Sequence, residues 1–204
     1  AKLYTYKTIG DRFIHLDYDM FVNGLPFDNF SDNRLVTLHS EQAPLNAMIY
    51  NEIHQIIKDP PSFPIDILST GKSINTGVIG ALNISLTDFA EESIEIMLKN
   101  RTAILAAMKQ LHPKYFNRFF DQMLLYAYAC NREIELEFLA YGINTRKEAL
   151  GAVYEFPEHR QFLHINHEYR RNQRVCEQLE QLFKFEFPEY YHRLVNLFAW
   201  GEIS

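Results

Sequence analysis

Short apolar segments typical of β-strands alternate with longer segments of helical periodicity along this chain of 204 residues. The strand-like segments are 12–16, 36–39, 73–81, 135–139 and 162–165. The helical segments are 47–58, a helix from the predicted N-cap Thr87 to about Lys99, 115–129, 170–183 and one that follows Pro188. This alternation predicts an α/β fold, with a layered mixed sheet flanked by helices.

Length and composition favour a folded domain in a reducing compartment. The length predicts one domain spanning residues 1–204, and the 47% apolar and 23% charged residues are close to globular averages. Cys130 and Cys176 stand alone without CxxC spacing, so we expect no disulfide framework and a cytoplasmic protein. Because the first residue is Ala1 rather than Met, we expect a processed or truncated chain, or part of a longer one.

Net charge and hydropathy argue against nucleic acid as a partner and against a membrane span. A net charge of -6 and a pI near 5.8 argue against a surface that follows nucleic-acid phosphates. No apolar run reaches the roughly eighteen residues that a membrane span needs, so we expect a soluble protein without a membrane span.

An acidic pair, Asp17 and Asp19, ends the first strand-like segment. Side chains alternate along a strand, so both carboxylates are expected to point to one side. Two aligned carboxylates are hard oxygen ligands that suit Mg²⁺ or Mn²⁺ and leave positions for phosphate oxygens. The alternative is a pair of turn residues that precede Asn23 and Gly24.

Three further segments contain polar residues with two interpretations each. The glycine-punctuated strand around Asn75 and Gly77 suits close approach by a ligand or another backbone, or is a turn or bulge. Asp121 is a candidate site residue or a charge favoured by a helix dipole. His164 is a candidate metal ligand or a hydrogen-bonded core histidine, and Arg170 is a phosphate ligand or part of a solvated helix.

Taken in order, these segments resemble the GT-A glycosyltransferases, which use nucleotide-sugar donors and an Asp-x-Asp metal site. The matching stretches are Asp17-Tyr18-Asp19 with Phe21, Leu25, Pro26 and Phe27, then 74–80, 120–125 and 164–170, in which His167 stands where the family has Gly and Arg170 where it has Lys. The resemblance implies a GT-A-like core and metal-dependent transfer of a sugar from a nucleotide diphosphate to an unknown acceptor.

The resemblance also implies a role for each candidate residue. The metal ligands are Asp17, Asp19 and His164; the donor-binding residues are Asn75, Gly77 and Arg170; and Asp121 and Gln122 lie near the reacting carbon. Mn²⁺, or Mg²⁺, accepts such a mixed oxygen and nitrogen ligand set and would neutralise the charge on a departing diphosphate. The guanidinium of Arg170 would add fixed positive charge at the phosphates.

Two alternatives belong to other functional classes. A haloacid-dehalogenase-like phosphatase would use Asp17 as nucleophile and Asp19 as acid/base, with a hydroxyl from Ser69 or Thr70 after a second strand. A noncatalytic relative would bind a partner through the same scaffold. It is favoured because sixteen residues precede Asp17, where GT-A enzymes have on the order of a hundred for nucleotide binding.

Overall fold

The computed structural model describes residues 2–17, 19–24, 33–59, 65–140, 146–156, 162–165 and 171–199. The chain forms two compact units. The first consists of residues 1–18 and 25–142, and the second of residues 19–24 and 143–204. The single domain expected from the chain length stays a prediction.

A mixed sheet forms the centre of the first unit. Its strands are β1 (Phe13–Leu16), β3 (Arg34–Gln42), β4 (Lys72–Ala81) and β5 (Glu135–Phe138). The spatial order is β1-β4-β3-β5, with antiparallel pairs except for the parallel pair β3–β5. This confirms the predicted mixed sheet flanked by helices and all four strands predicted in this unit.

Helices flank this sheet, and most of them were predicted. They are α1 (Lys2–Thr8), α2 (Pro44–Ile56), α3 (Ile65–Thr70), α4 (Thr87–Lys99), α5 (Arg101–Ala107), α6 (Pro113–Arg118), a π-helical turn (Phe119–Met123) and α7 (Leu124–Asn131). Thr87 as an N-cap was wrong, because it is the first helical residue and its backbone N–H donates to Ser85 Oγ at 3.2 Å.

The core of the first unit depends on β4, whose residues are buried from Ser73 to Ala81. Such burial on both faces explains why this segment reads as a continuous run of small and apolar residues. Tyr50 of α2 packs edge-on against Phe119 with ring centroids 6.1 Å apart, and its hydroxyl donates to Ser73 Oγ at 3.3 Å. The helical layer is therefore attached to β4 by apolar packing and by a buried hydrogen bond.

The second unit contains a two-stranded antiparallel sheet and three helices within its described residues. They are β2 (Met20–Val22), β6 (Phe162–His164), α8 (Arg146–Glu155), α9 (Gln173–Glu186) and α10 (Pro188–Ala199). The predicted strand 162–165 and both C-terminal helices are confirmed, with α9 starting after its N-cap Asn172. No helix in the described ranges is long and apolar enough to cross a membrane.

Gly71, between α3 and β4, provides a test of the close packing in the first unit. Its φ is +65°, and a Cβ there would collide with the backbone of Ala43 and Ala47. We expect Gly71→Ala to lower the free energy of unfolding by roughly 2–4 kcal/mol, from left-handed strain and overpacking together.

Urea unfolding measures this change, and Gly10→Ala is the matched control in the same unit. Gly10 has no positive φ, and a Cβ there meets no atom within 4 Å. An equal midpoint for wild type and Gly71→Ala would contradict the packing described here.

Candidate functional site

Asp17 is placed by the pairing of β1 with β4. The strand ends at Leu16, which pairs with Val78, and the backbone N–H of Asp17 then donates to the carbonyl of Gly77 at 2.8 Å. One further backbone hydrogen bond thus fixes Asp17 beside the middle of β4. Strand alternation does not set its direction, because Asp17 lies after β1, and Asp19 lies before β2 in the second unit.

The predicted bulge around Asn75 and Gly77 is confirmed, and the turn is wrong. Thr37 of β3 pairs with Ile79, whereas His39, only two residues later, pairs with Asn75, four residues earlier in β4. Two extra residues of β4 are therefore accommodated opposite β3. Bulges of this kind redirect side chains and are frequent beside functional sites.

Asn75 supports the bulge rather than reaching outward. Its Oδ1 accepts a hydrogen bond from the backbone N–H of Gly77 at 2.9 Å, and its Nδ2 donates to Glu41 Oε1 at 2.8 Å. Asn75 is 6% exposed. Two of the three predicted donor-binding residues, Asn75 and Gly77, thus belong to one local hydrogen-bond network on β4.

Asp121 lies in the π-helical turn, which is continuous with α6 and α7. The interpretation as a charge at a helix start is therefore wrong. Its Oδ2 accepts a hydrogen bond from Thr76 Oγ1 at 2.7 Å, which joins the turn to the bulge of β4. Single π-helical turns inside α-helices occur frequently at functional sites.

Lys2 of α1 contacts the carboxylates of both Asp17 and Asp121. Its Nζ lies 2.9 Å from Asp17 Oδ1 and 3.2 Å from Asp121 Oδ2, and it donates to the carbonyl and hydroxyl oxygens of Thr76 at 2.8 and 3.0 Å. The side chains of Lys2, Asp17 and Asp121 are 18%, 32% and 22% exposed. We call Lys2, Asp17, Thr76 and Asp121 the acidic cluster.

Sequence reasoning missed Lys2 and the helix that carries it. The only signal is the spacing of the buried residues Leu3 and Tyr6, which lie three positions apart on one face of a seven-residue helix. A contact across 119 positions, from Lys2 to Asp121, leaves no local pattern in the sequence.

The two carboxylates of the acidic cluster have pKa values shifted in opposite directions. Burial raises the pKa of Asp121 above its ordinary value, more than Lys2 and Thr76 lower it. Burial also acts to raise the pKa of Asp17, but hydrogen bonds from His15 and Lys2 outweigh it, so that this pKa is lowered. Asp17 therefore holds its charge more firmly than Asp121 does.

Three buried polar atoms near this cluster have no hydrogen-bond partner among the described residues. They are Asp121 Oδ1, Gln122 Oε1 and the hydroxyl of Tyr6. The ring of Tyr6 packs edge-on against His15, whose Nε2 lies 3.2 Å from Asp17 Oδ1. Burial, with the charges of Asp121 and Asp17, also raises the pKa of Tyr6, which keeps its hydroxyl protonated. Unpaired buried polar atoms are costly, so this is a place where water or a ligand can supply partners.

The second unit contains the other predicted metal ligands. His164 Nε2 lies 3.5 Å from Asp19 Oδ2, and the two side chains are 16% and 15% exposed. They are adjacent because His164 of β6 pairs with Met20 of β2, directly after Asp19. Arg170 and His167 lie outside the described residues. Within those residues, no group of three or more His, Cys, Asp or Glu side chains could hold a metal ion.

Fold and site together define an α/β protein in which the acidic cluster lies at the bulge of the central strand β4 and contains one lysine. The chain belongs to a family of unknown function, DUF6734, whose profile matches residues 1–197. No curated protein and no solved structure gives a significant match.

The raised pKa of Asp121 predicts a pH-dependent effect of Asp121→Asn. A group whose folded-state pKa is raised stabilises the fold below its unfolded pKa of about 3.9, and this stabilisation is lost as the pH rises through the folded pKa. Asparagine does not titrate. We therefore expect the wild type to lose stability relative to Asp121→Asn as the pH rises from 4 to 7, by at most about 1.4 kcal/mol per pH unit.

Urea unfolding at several pH values tests this expectation, with Asp88→Asn as the control. The side chain of Asp88 is 68% exposed and lies outside the acidic cluster. The same pH trend in both variants, or the opposite trend in Asp121→Asn, would show that burial does not raise the pKa of Asp121.

Proposed function

We propose that this protein is a metal-dependent glycosyltransferase of the GT-A type, which transfers a sugar from a nucleotide diphosphate to an acceptor. One observation carries the proposal. Three segments that resemble separate GT-A motifs, around Asp17, 75–77 and Asp121, contact one another through hydrogen bonds and Lys2 in the first unit. Similarity of short sequence motifs alone does not require such a meeting.

The acidic cluster suits the sugar part of a donor. The unpaired Oδ1 of Asp121 and Oε1 of Gln122 can each accept a hydrogen bond from a sugar hydroxyl. The hydroxyl of Tyr6 can donate or accept one. The pKa of Asp121 is raised, so this carboxyl group binds a proton more readily than an ordinary aspartate does. A group that can take up and release a proton is what acid–base catalysis at a hydroxyl requires.

The donor chemistry of Asp19 and His164 fits Mn²⁺, because an imidazole nitrogen and a carboxylate oxygen 3.5 Å apart can both be ligands of this ion. Asp17, the third predicted ligand, is paired with Lys2. When bound, the ion would neutralise charge on the departing diphosphate. Arg170 is proposed to donate hydrogen bonds to the phosphate oxygens.

The phosphatase alternative needs a serine or threonine hydroxyl directly after a second strand, and Ser69 and Thr70 do not lie in such a position. Both residues end the helix α3 instead. A noncatalytic sugar-binding protein is the second candidate. It is favoured by the pairing of Asp17 with Lys2, which occupies one of the three predicted metal ligands.

Calorimetric titration with UDP and GDP, each with and without Mn²⁺, tests the proposed function. We expect one nucleotide diphosphate to bind only with Mn²⁺, and Asp19→Ala to weaken this binding at least tenfold, because it removes a carboxylate ligand. Asp88→Asn is the control, and it should bind like the wild type.

A second measurement separates transfer from binding alone. We expect Asp121→Asn to keep nucleotide binding but to hydrolyse or transfer the sugar of the bound donor at least a hundredfold more slowly, since acid–base groups contribute roughly 10²–10⁴-fold. Mn²⁺-dependent binding without turnover in the wild type would favour the noncatalytic candidate. Absence of nucleotide binding would reject the transferase and likewise favour the noncatalytic candidate.

A further inference from the structure

The ammonium group of Lys2 is surrounded by more oxygen atoms than it has protons. Five oxygens lie within 3.2 Å of Nζ: both carboxylate oxygens of Asp17, Oδ2 of Asp121, and the carbonyl and hydroxyl oxygens of Thr76. An ammonium group has three donors, so at least two of these contacts are electrostatic rather than directed hydrogen bonds. The five oxygens therefore surround the Lys2 ammonium in the way that oxygen ligands surround a metal cation.

The types of oxygen around Lys2 are those of a cation site. Two carboxylates, a backbone carbonyl and a hydroxyl are hard ligands, which hold Mg²⁺, Ca²⁺ or Mn²⁺ in proteins. The observed distances of 2.8–3.2 Å suit N–H···O contacts. Calcium–oxygen distances are shorter, about 2.3–2.6 Å, so a metal ion would draw the same oxygens inward by about half an ångström.

We propose that the Lys2 ammonium is the built-in cation of the Asp17–Asp121 pair and that it excludes a divalent ion from this pair. The proposal goes beyond sugar transfer and does not depend on it. The acidic cluster of the first unit then has its cation without metal, and the metal ion of the proposed transferase would be held by other residues.

Lys7 shows what an ordinary lysine on the same helix does. It pairs with one carboxylate, Glu91, at 2.9 Å, and both side chains are about half exposed, at 46% and 52%. Lys2, in contrast, contacts two carboxylates and is 18% exposed. Removal of Lys2 leaves two shielded carboxylates without a cation, whereas removal of Lys7 leaves one exposed carboxylate in water.

Binding of Mn²⁺ to Lys2→Met tests the proposal. The measurement is electron paramagnetic resonance of free Mn²⁺ during titration, without nucleotide, in an Asp19→Ala background that removes the predicted ligand in the second unit. We expect Lys2→Met to gain about one Mn²⁺ per chain, with at least tenfold higher affinity than the background protein. Lys7→Met should gain none.

Further variants assign the gained ion to the acidic cluster. Addition of Asp121→Asn to Lys2→Met should abolish the gain, and Lys2→Arg should show none, because it keeps a positive charge. If Lys2→Met does not fold, as judged by circular dichroism, Lys2→Gln replaces it, since it removes the charge but keeps polar contacts.

The proposal is overturned by either of two results. One is a folded Lys2→Met or Lys2→Gln protein that binds no more Mn²⁺ than the background. The other is a background protein that already binds Mn²⁺ through Asp121. Because no nucleotide is present, failure of the transferase proposal leaves these results unchanged, and the two proposals are tested separately.

Discussion

The pairing of β4 with a strand on each edge determines where the polar residues of the first unit lie. On one edge, β1 ends opposite Val78, so the next residue, Asp17, hydrogen-bonds to Gly77. On the other edge, β3 accommodates two extra residues of β4, and the resulting bulge contains Thr76. Without both ladders, the oxygens of Thr76 and the carboxylate of Asp17 would have no fixed separation.

The predictable part of the fold is the part whose sequence pattern reflects burial. β4 was predicted because burial of both faces gives it a run of small and apolar residues, and α2 because its apolar residues repeat with helical spacing. The elements that were missed are α1, β2, α3, α5 and α8, and they are three to ten residues long. Such short elements are stabilised by tertiary contacts rather than by local propensity, so their own sequences contain little signal.

The residues of the candidate site also fall into those that local sequence patterns predicted and those that they did not. Asp17 and Asp121 were predicted as site residues because each lies in a motif that can be read locally, and both lie in the acidic cluster. Lys2 and Tyr6 were missed, because their roles arise only when α1 packs near residues that are distant in sequence. Motifs therefore provided the carboxylates of this cluster, and tertiary structure provided its cation.

Charge balance constrains what the acidic cluster can bind. With Asp17 ionised, Lys2 cancels one negative charge, and Asp121 adds a second whenever it is ionised. The cluster is therefore neutral or negative, so it offers no net attraction to a phosphate group and repels one when Asp121 is ionised, whereas Asp121 Oδ1 can accept a hydrogen bond from a hydroxyl group. In the proposed transferase, a diphosphate would therefore obtain its positive charge from groups outside this cluster. Recognition of a sugar and neutralisation of phosphate would then depend on different residues, and a variant in one set could lose one without the other.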